Sequence, residues 1–426
     1  MGAKPHRIRV AVLADDFNPE WPSLPVVGFN YARALAELAD VTVFTHVRNR
    51  TNVEKLGAQR FAIVYLDNEA VASPMYKLAT WLRGGDELGW TIQIASNYLP
   101  YLQFERLALS RIRKSEPRFD LVHRITPMSP TLPSYAAGRT GTPFVIGPLN
   151  GNLPWPKEFS AELKREREML SKIKPIYRIL PFIRSTYRNA SAVLAAFPHT
   201  IASLSNGIRD KVFDVPEIGY DPATFFNQPR RRSQRLTFLY AGRLVPYKLP
   251  EFAVRAFVER PELRKHRLRI VGSGPEQERL ERIIAEHGLQ DCIEFVGRLS
   301  QREVADEMRK ADVFLFPSIR ELGAGVVIEA MACGLPCIVA DYGGPGGLVN
   351  DSRGRKVPIS DRETMIRGFA DAAVELASDR RALSRMSTES ADYAERTFTW
   401  DKKAEATLEI YDWVLGGRPD KPTFVY

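Results

Sequence analysis

The sequence contains few cysteines and no long apolar run. Only Cys292, Cys333 and Cys337 occur among 426 residues, and three thiols cannot supply a disulfide framework for a chain of this length. The first apolar run, from Val10 to Ala14, ends at two aspartates and is too short for a signal peptide or for a membrane-spanning helix of about 18–20 residues. We therefore expect a cytoplasmic protein, and any contact that it makes with a membrane must be peripheral.

The composition also lacks the bias of disordered or fibrous proteins. Apolar residues make up 44% and charged residues 26%, which are globular averages, and 426 residues exceed one ordinary hydrophobic core, so we expect two domains. The net charge of +9 lies in the first half, because residues 1–215 hold 28 Lys and Arg against 19 Asp and Glu.

The most basic stretch is 157–190, with nine basic and four acidic residues interleaved with apolar ones. It fits two interpretations equally: an amphipathic segment lying on the anionic inner face of the cytoplasmic membrane, or a solvated helix face. No finger or RNP-type motif accompanies it, so we expect no nucleic-acid partner.

Short apolar runs alternate with helix-length amphipathic segments through both halves of the chain. This alternation, twice over, predicts two doubly wound α/β domains with parallel sheets. The predicted strands are residues 8–13, 41–45, 61–66, 119–123, 144–147 and 192–195 in the first half and 236–241, 268–271, 292–296, 313–316 and 337–340 in the second. We place an N-terminal domain at 1–215, a linker at 216–235, a C-terminal domain at 236–395, a helix suited to packing back on the N-terminal domain at 396–415, and a tail at 416–426.

Three loops that follow predicted strands of the second half have unusual composition. They are residues 242–248 (GRLVPYK), 317–334 and 341–347 (DYGGPGG). Because open α/β sheets bind ligands outside the carboxyl ends of their strands, these loops are predicted to line a binding site.

The middle loop predicts an anion site. Gly323, Ala324 and Gly325 lead into a helix whose first free N–H groups and positive dipole end face the ligand with few side chains in the way. Arg243 and Lys248, on a neighbouring loop, add two positive charges, which suits a diphosphate.

Two glutamates flank this anion site. Glu329 lies about one and a half turns into the helix, roughly 7–8 Å along its axis, where a carboxylate can accept hydrogen bonds from a ribose. Glu321 precedes the helix and is predicted to reach the group on the far phosphate. Singly, each feature is more often a solvated charge or an ordinary turn, but their order, each after a strand, indicates a site for a nucleotide-linked ligand.

Together these residues resemble the donor-binding domain of retaining glycosyltransferases of the GT-B fold, family 4. The resemblance runs from Leu236 to about Val349 and rests on Gly-Arg-Leu with a lysine four residues later (242–248), Ala-Asp-Val-Phe-Leu-x-Pro-Ser (311–318) and Glu-x7-Glu (321–329). It implies two Rossmann-like domains facing across a cleft. It also implies transfer of a sugar from a UDP- or GDP-linked donor with retention of configuration, without a metal or other cofactor.

The resemblance implies a role for each of these side chains. Arg243 and Lys248 neutralise the leaving diphosphate, Glu329 binds the ribose and Glu321 contacts the donor sugar, so Glu321, Arg243 and Lys248 are the predicted catalytic residues. Besides Glu329, the predicted donor-binding residues are Gly28, Gly242, Arg298, Gly323, Ala324, Gly325 and Val326. Glu321 is not predicted to be a nucleophile, because the second carboxylate is assigned to the nucleotide.

The sequence departs from the family pattern at several positions. Residues 322–324 read Leu-Gly-Ala where Gly-Phe-Gly is usual, Leu249 replaces a glycine, and Gly347 stands where many members have glutamate. In the first half, Gly28 lacks the usual neighbouring glycine, and Ile125 stands where a catalytically placed histidine is expected.

Three residues of the first half are candidates for the acceptor side. His123 ends a predicted strand, and Asn150 and Gly151 follow the next one. A core histidine and an ordinary turn are the alternative interpretations. Cys333 and Cys337 have no histidine or further cysteine nearby, so we predict no zinc site.

We therefore predict a retaining, hexosyltransferase-type glycosyltransferase that acts on a glycan or lipid-linked acceptor in polysaccharide or glycolipid biosynthesis. Two alternatives stay open: a non-catalytic membrane- or glycan-binding protein with a degenerate GT-B site, and a nucleotide-sugar epimerase of the same fold. A sugar phosphorylase is disfavoured because no lysine motif indicates a pyridoxal site.

Overall fold

The computed structural model describes residues 7–83, 97–165, 180–229 and 233–424 of the chain. These residues form two compact units. The first unit holds the described residues up to 152, those from 180 to 217 and those from 400 to 424. The second unit holds residues 153–165 and the described residues from 218 to 399.

Strands and helices alternate along both units. The strands are β1 (Arg9–Ala14), β2 (Asp40–His46), β3 (Ala62–Leu66), β4 (Leu121–Thr126), β5 (Phe144–Leu149), β6 (Ala192–Ala195), β7 (Val212–Asp214), β8 (Thr237–Ala241), β9 (Arg267–Val271), β10 (Ile293–Gly297), β11 (Val313–Phe316), β12 (Cys337–Ala340) and β13 (Gly354–Val357). The helices are α1 (Leu24–Leu38), α2 (Arg50–Glu54), α3 (Glu69–Arg83), α4 (Tyr98–Ile112), α5 (Ser160–Arg165), α6 (Ile183–Asn189), α7 (Phe197–Ser203), α8 (Pro250–Glu259), α9 (Gln277–Glu286), α10 (Gln301–Lys310), α11 (Gly325–Ala332), α12 (Gly343–Leu348), α13 (Arg362–Ser378), α14 (Arg380–Phe398) and α15 (Trp400–Val414).

The first unit is built on a seven-stranded parallel sheet in the order β3-β2-β1-β4-β5-β6-β7. Its middle strand, β4, is buried along its whole length because helices cover both faces of the sheet, although it carries His123 and Arg124 among its apolar residues. Alternate residues of β1 point to opposite faces, so Val10 and Val12 join the core cluster that includes residues of α1 and α15. Ala11 and Leu13 join the cluster that includes residues of α4.

The second unit is built on a six-stranded parallel sheet in the order β10-β9-β8-β11-β12-β13. Strands β11 and β12 are buried along their whole length. Helix α10 begins at a capping box, in which the Ser300 hydroxyl accepts from the Glu303 N–H and the Glu303 carboxylate accepts from the Ser300 N–H. In each sheet the strand order reverses once, between β1 and β4 and between β8 and β11, where doubly wound folds bind their ligands.

All eleven predicted strands are present, although their ends differ from the prediction by up to three residues. The prediction of two doubly wound α/β sheets is therefore confirmed. The structure adds two edge strands, β7 and β13. Strand β13 has the sequence Gly-Arg-Lys-Val and β7 is three residues long, so neither offers the apolar run that predicts a strand.

The prediction of one helix over 396–415 is wrong at its start. Residues to Phe398 belong to α14, Thr399 is extended with φ −65° and ψ 152°, and α15 begins at Trp400. Helix α15 is part of the first unit, where the Thr407 hydroxyl lies 2.5 Å from the hydroxyl of Tyr31. Residues 153–165, assigned to the N-terminal domain from the sequence, fold within the second unit, because their buried side chains pack there.

Candidate functional site

The candidate site lies in the second unit, at the carboxyl edge of β8, β11 and β12. These strands are neighbours in the sheet, so the loops that follow them lie at the same edge. The loop after β8 carries Arg243 and Lys248, the loop after β11 carries Glu321, and helix α11 carries Glu329. The structure thus brings the β8 and β11 loops together, as the sequence predicts.

Lys248 and Glu321 form the central contact of the site. The Lys248 ammonium donates to a Glu321 carboxylate oxygen, and the two side chains are only 12% and 17% exposed. The Ser318 hydroxyl donates to the same oxygen at 3.1 Å. Burial lowers the pKa of Lys248, but the adjacent carboxylate raises it more, so the pKa lies above its ordinary value. The ammonium is therefore charged at neutral pH and fixes the Glu321 carboxylate.

Arg243 is hydrogen-bonded to Tyr247 within the loop after β8. Its guanidinium donates to the Tyr247 hydroxyl at 2.8 Å, and the Lys248 ammonium lies 5.6 Å from the centroid of the Tyr247 ring. The Tyr240 hydroxyl donates to the Arg243 carbonyl at 3.1 Å and steadies the turn after β8. Tyr247 and Ser318 were not predicted as site residues, although both lie within the loops identified from the sequence.

The start of α11 requires an unusual backbone conformation. Ala324 has φ 51° and ψ 51°, in the left-handed region that favours glycine, and helix α11 begins at Gly325. Leu249, after Lys248, is also left-handed, with φ 45° and ψ 47°. Two of the positions where the family pattern has glycine and this chain does not, 249 and 324, are therefore held in the conformation that glycine adopts most easily.

Other predicted donor residues lie around this helix start. Gly323 and Ala324 are buried, whereas Gly325 and Val326 are partly exposed. A Cβ at Gly242 would lie 3.5 Å from both Lys248 Cδ and the Phe316 ring, which is ordinary contact, so the protein itself does not require glycine there.

Glu329 lies on the second turn of α11 and is half-buried. The Gln301 side-chain amide donates to one of its carboxylate oxygens at 3.4 Å. Burial raises the pKa of Glu329 to about 7, and the Gln301 hydrogen bond opposes the rise. Gln301 was not predicted from the sequence, and only its place at the first turn of the capped helix α10 could have indicated it. Arg298 is exposed in the loop after β10.

Two further glycines, Gly272 and Gly343, allow neighbouring segments to pack closely against the loops of the site. A Cβ at Gly272 would lie 1.9 Å from the Gly242 carbonyl oxygen, so only glycine lets the loop after β9 approach the loop after β8. A Cβ at Gly343 would lie 2.4 Å from the Glu321 carbonyl oxygen, and the Gly344 N–H donates to that oxygen at 3.0 Å. Gly272 was missed, although Gly-Ser-Gly directly after a strand is a usable signal.

In the first unit, Gly28 lies within α1, and a Cβ there would come 2.5 Å from the Asp16 carbonyl oxygen. This glycine therefore allows α1 to pack against the loop after β1. Its role toward a donor phosphate stays a prediction.

His123 is completely buried in the first unit. Its Nε2 lies 2.7 Å from the Gly147 carbonyl oxygen and must donate to it, so Nδ1, 2.5 Å from the Tyr411 hydroxyl, accepts. Burial lowers the pKa of His123 to about 4, and the ring is neutral at pH 7. The structure favours the core-histidine interpretation over an acceptor role.

Asn150 and Gly151 follow β5 and are tied to the rest of the first unit. The Asn150 amide donates to the Glu217 carboxylate at 2.6 Å, and its oxygen accepts from Thr200 at 3.2 Å. The Gly151 N–H donates to the Thr200 hydroxyl at 3.1 Å. These contacts fix the loop after β5, and the acceptor role of both residues stays a prediction.

The described residues contain neither a metal-binding cluster nor a membrane-spanning helix. No three or more His, Cys, Asp or Glu side chains there are grouped so that they could hold a metal ion. No helix in the same residues has the length and apolarity needed to cross a membrane. Cys333 and Cys337 are buried thiols.

Parts of this sequence are similar to known proteins. Residues 222–389 match the family described as "Glycosyl transferases group 1". The D-inositol 3-phosphate glycosyltransferase of Streptomyces bingchenggensis is 36% identical over 190 residues, 42% of this chain and 41% of that protein. Its counterpart from Stackebrandtia nassauensis is 32% identical over 232 residues, covering 50% of this chain and 51% of that protein. The chain thus spans about two fifths to one half of these relatives' length.

Solved structures match over nearly the whole chain. The Anabaena protein Alr3699/HepE, crystallised with UDP and glucose, has a TM-score of 0.61 at 16% identity and covers 95% of this chain and 100% of its own. WaaG, a glycosyltransferase of lipopolysaccharide biosynthesis, has a TM-score of 0.57 at 15% identity and covers 96% and 100%. At such identities the likeness establishes the fold alone, and it confirms the predicted GT-B fold class.

Proposed function

Because residues 222–389 carry a domain of the group 1 glycosyltransferase family, we propose that the protein transfers a sugar from a nucleoside diphosphate donor to an acceptor with retention of configuration. The observation that carries the proposal is the Lys248–Glu321 contact beside the start of α11, with Arg243 on the same loop as Lys248. Two cations and a helix start would meet the diphosphate, and a fixed carboxylate would meet the sugar.

The roles proposed for Arg243, Lys248 and the start of α11 follow from the negative charge that the reaction leaves on the diphosphate. Breaking the bond between sugar and diphosphate leaves negative charge on the leaving group, and fixed donors aimed at that charge lower the barrier. Lys248 is already paired with Glu321, so Arg243 and the first N–H groups of α11 would carry much of the leaving charge. On this basis no divalent metal is needed, and turnover should persist in excess EDTA.

The nucleotide end of the donor would be held by Glu329. A carboxylate that has one oxygen bonded to Gln301 keeps acceptor capacity for ribose hydroxyls. We propose a UDP- or GDP-linked donor, supported by the Anabaena protein of the same fold, which was also crystallised with UDP and with UDP-glucose.

The acceptor is proposed to be a glycan or a lipid-linked sugar in polysaccharide or glycolipid assembly. The basic stretch 157–190 supports a peripheral contact with anionic membrane, although its residues 166–179 lie outside the described residues. Co-sedimentation with liposomes rich in phosphatidylglycerol at low salt tests this contact. Absence of binding there would remove the membrane part of the proposal and leave the sugar transfer intact.

The test of the reaction begins with a thermal-shift screen of UDP, GDP, ADP and their glucose and mannose conjugates, because a ligand that binds the folded state raises its melting temperature. The best donor is then assayed for release of nucleoside diphosphate. Glu321→Gln should lower the turnover at least about 100-fold. Lys265→Ala, which removes an exposed lysine of the same unit, should leave it unchanged.

A second candidate function is favoured by one observation. Ile125, at the position of the expected histidine, is completely buried in the core of the first unit, which would suit a protein that kept the fold for binding only. If nucleotide sugars raise the melting temperature but none releases its diphosphate, with or without glycan acceptors, this candidate replaces the transferase.

A further inference from the structure

Residues 153–165, which we name the crossing segment, come from the first half of the sequence but fold within the second unit. Phe159 is completely buried, with its ring centroid 6.2 Å from that of Phe252. The buried Glu162 carboxylate accepts from Arg362. Because breaking such a pair leaves an uncompensated buried charge, the crossing segment is firmly held in this unit.

The first three residues of the crossing segment touch the loops that hold Glu321. The Arg320 guanidinium donates to the Leu153 carbonyl oxygen at 3.0 Å and lies 5.5 Å from the centroid of the Trp155 ring. The Tyr342 hydroxyl donates to the Pro154 carbonyl oxygen at 2.8 Å. Arg320 follows β11 and Tyr342 follows β12, so both loops are bound to the same short stretch.

The Leu153 side chain and the Glu321 main chain both pack against Gly343. A Cβ at Gly343 would lie 2.4 Å from the Glu321 carbonyl oxygen and 2.8 Å from Leu153 Cδ2, so the glycine is enclosed between them. Leu153 is 2% exposed, and the Gly344 N–H donates to the Glu321 carbonyl oxygen. The leucine side chain therefore supports the turn that holds the Glu321 main chain.

We propose that Leu153, with Arg320 and Tyr342, is a positioning residue for Glu321 and sets how the donor sugar is held. The inference rests on the proposed role of Glu321. The Glu321 carboxylate is fixed by Lys248 and Ser318, whereas its main chain depends on the turn that Leu153 packs against. A misplacement of about 1 Å in a positioned group can cost on the order of 100-fold in rate.

The proposal predicts different effects at the sugar end and at the nucleotide end of the donor. The Glu329 carboxylate, proposed for the ribose, accepts its hydrogen bond from Gln301 on helix α10, not from the loops that the crossing segment contacts. Shortening Leu153 should therefore change the handling of the sugar and leave the binding of the nucleoside diphosphate as it is.

The test compares Leu153→Ala with three matched variants. Leu153→Met restores the volume, Tyr342→Phe removes only the hydroxyl on Pro154, and Glu158→Ala changes an exposed residue of the same segment. Each is measured for the Kd of the diphosphate and of the sugar nucleotide chosen by the thermal-shift screen, and for kcat and KM of donor turnover.

We expect Leu153→Ala to lower kcat about 10-fold or more with the diphosphate Kd within about 2-fold of wild type, and Leu153→Met to recover most of the loss. Tyr342→Phe should show a smaller loss of the same kind, and Glu158→Ala none. The diphosphate Kd serves as the readout that a merely unstable protein would not preserve.

The role of Leu153 would be overturned if Leu153→Ala and Tyr342→Phe both keep the wild-type kcat while Glu321→Gln loses its donor turnover. That result would leave the proposed function standing. An unaffected Glu321→Gln would instead remove the proposed function itself. If Leu153→Ala does not fold, Tyr342→Phe decides, since the loss of one hydroxyl at a half-buried position leaves the packing in place.

Discussion

The two units share one sheet architecture, but a glutamate of each unit, Glu321 in the second and Glu105 in the first, differs in what binds its carboxylate. In the second unit Lys248 and Glu321 bind each other and stay partly exposed. In the first unit Glu105 is completely buried, and its carboxylate accepts hydrogen bonds from the Tyr101 hydroxyl at 2.8 Å, from Ser134 at 2.7 Å and from main-chain N–H groups. The first unit thus uses the Glu105 carboxylate to hold its own chain, whereas the second unit keeps the partly exposed Lys248 and Glu321 side chains within reach of a ligand.

A buried arginine binds the same loop from another side. Arg124, on β4, is completely buried and donates to the Leu132 carbonyl oxygen at 2.9 Å. Residues 127–137, which form neither helix nor strand, are thus held from two sides by a carboxylate and a guanidinium. A loop without regular structure needs such side-chain bonds because its main-chain groups have no ladder partners.

The variant Glu105→Ala, for which we expect the strongest change, tests whether the first unit needs this carboxylate for its stability. Glu105→Ala should lower the free energy of unfolding by about 3–5 kcal/mol, because it leaves the buried donors around the carboxylate without an acceptor and removes the negative charge that acts on the buried Arg124 guanidinium. Urea denaturation gives the value. Glu54→Ala, which breaks an exposed pair with Arg50, should cost less than about 1 kcal/mol. A loss in Glu105→Ala no larger than in that control would contradict the contrast between the units.

A somewhat smaller effect is expected at the donor loop, and there it concerns activity. Lys248→Ala should lower donor turnover about 100-fold, since it removes a cation from the leaving diphosphate and releases the Glu321 carboxylate. Combined with Glu321→Gln, the losses should be less than additive, because the two side chains are in contact. Additive losses in a double-mutant cycle would show that the two residues act independently.

The sequence predicts the fold more completely than it predicts the contacts within the site. The apolar runs of β8, β11 and β12 are long enough to predict, and the loops behind them carry motifs. Contacts that depend on tertiary packing had no such signal: Gln301 reaches Glu329 from another helix, and residues 153–165 fold in the second unit through Phe159 and buried charges. Periodicity reports which residues are buried within an element, not which partner they meet.

The pH dependence of donor binding gives the next smaller effect. Glu329 has a pKa raised to about 7, so it is mostly protonated at pH 6 and mostly ionised at pH 8. If the ionised form binds the ribose, the affinity for the nucleoside diphosphate should rise about 10-fold from pH 6 to pH 8, as one proton is lost on binding at low pH.

Calorimetry at several pH values measures this dependence. Glu329→Gln is the matched control, because it retains the shape of the side chain and leaves only the titration of the diphosphate itself. An equal rise in Glu329→Gln and wild type would show that the carboxylate does not control the binding.

The smallest expected effect concerns the left-handed residue at the start of α11. Alanine in this conformation costs roughly 1 kcal/mol, whereas glycine adopts it freely, so Ala324→Gly should raise the free energy of unfolding by up to about 1 kcal/mol. Ala330→Gly, in the interior of the same helix, should instead lower it by about 1 kcal/mol or more. Opposite signs in urea denaturation would show that the alanine is kept at the donor loop against a local cost. Equal losses in the two variants would mean that packing of the buried methyl group outweighs the backbone strain, and the departure from the family's glycine would then need no functional reason.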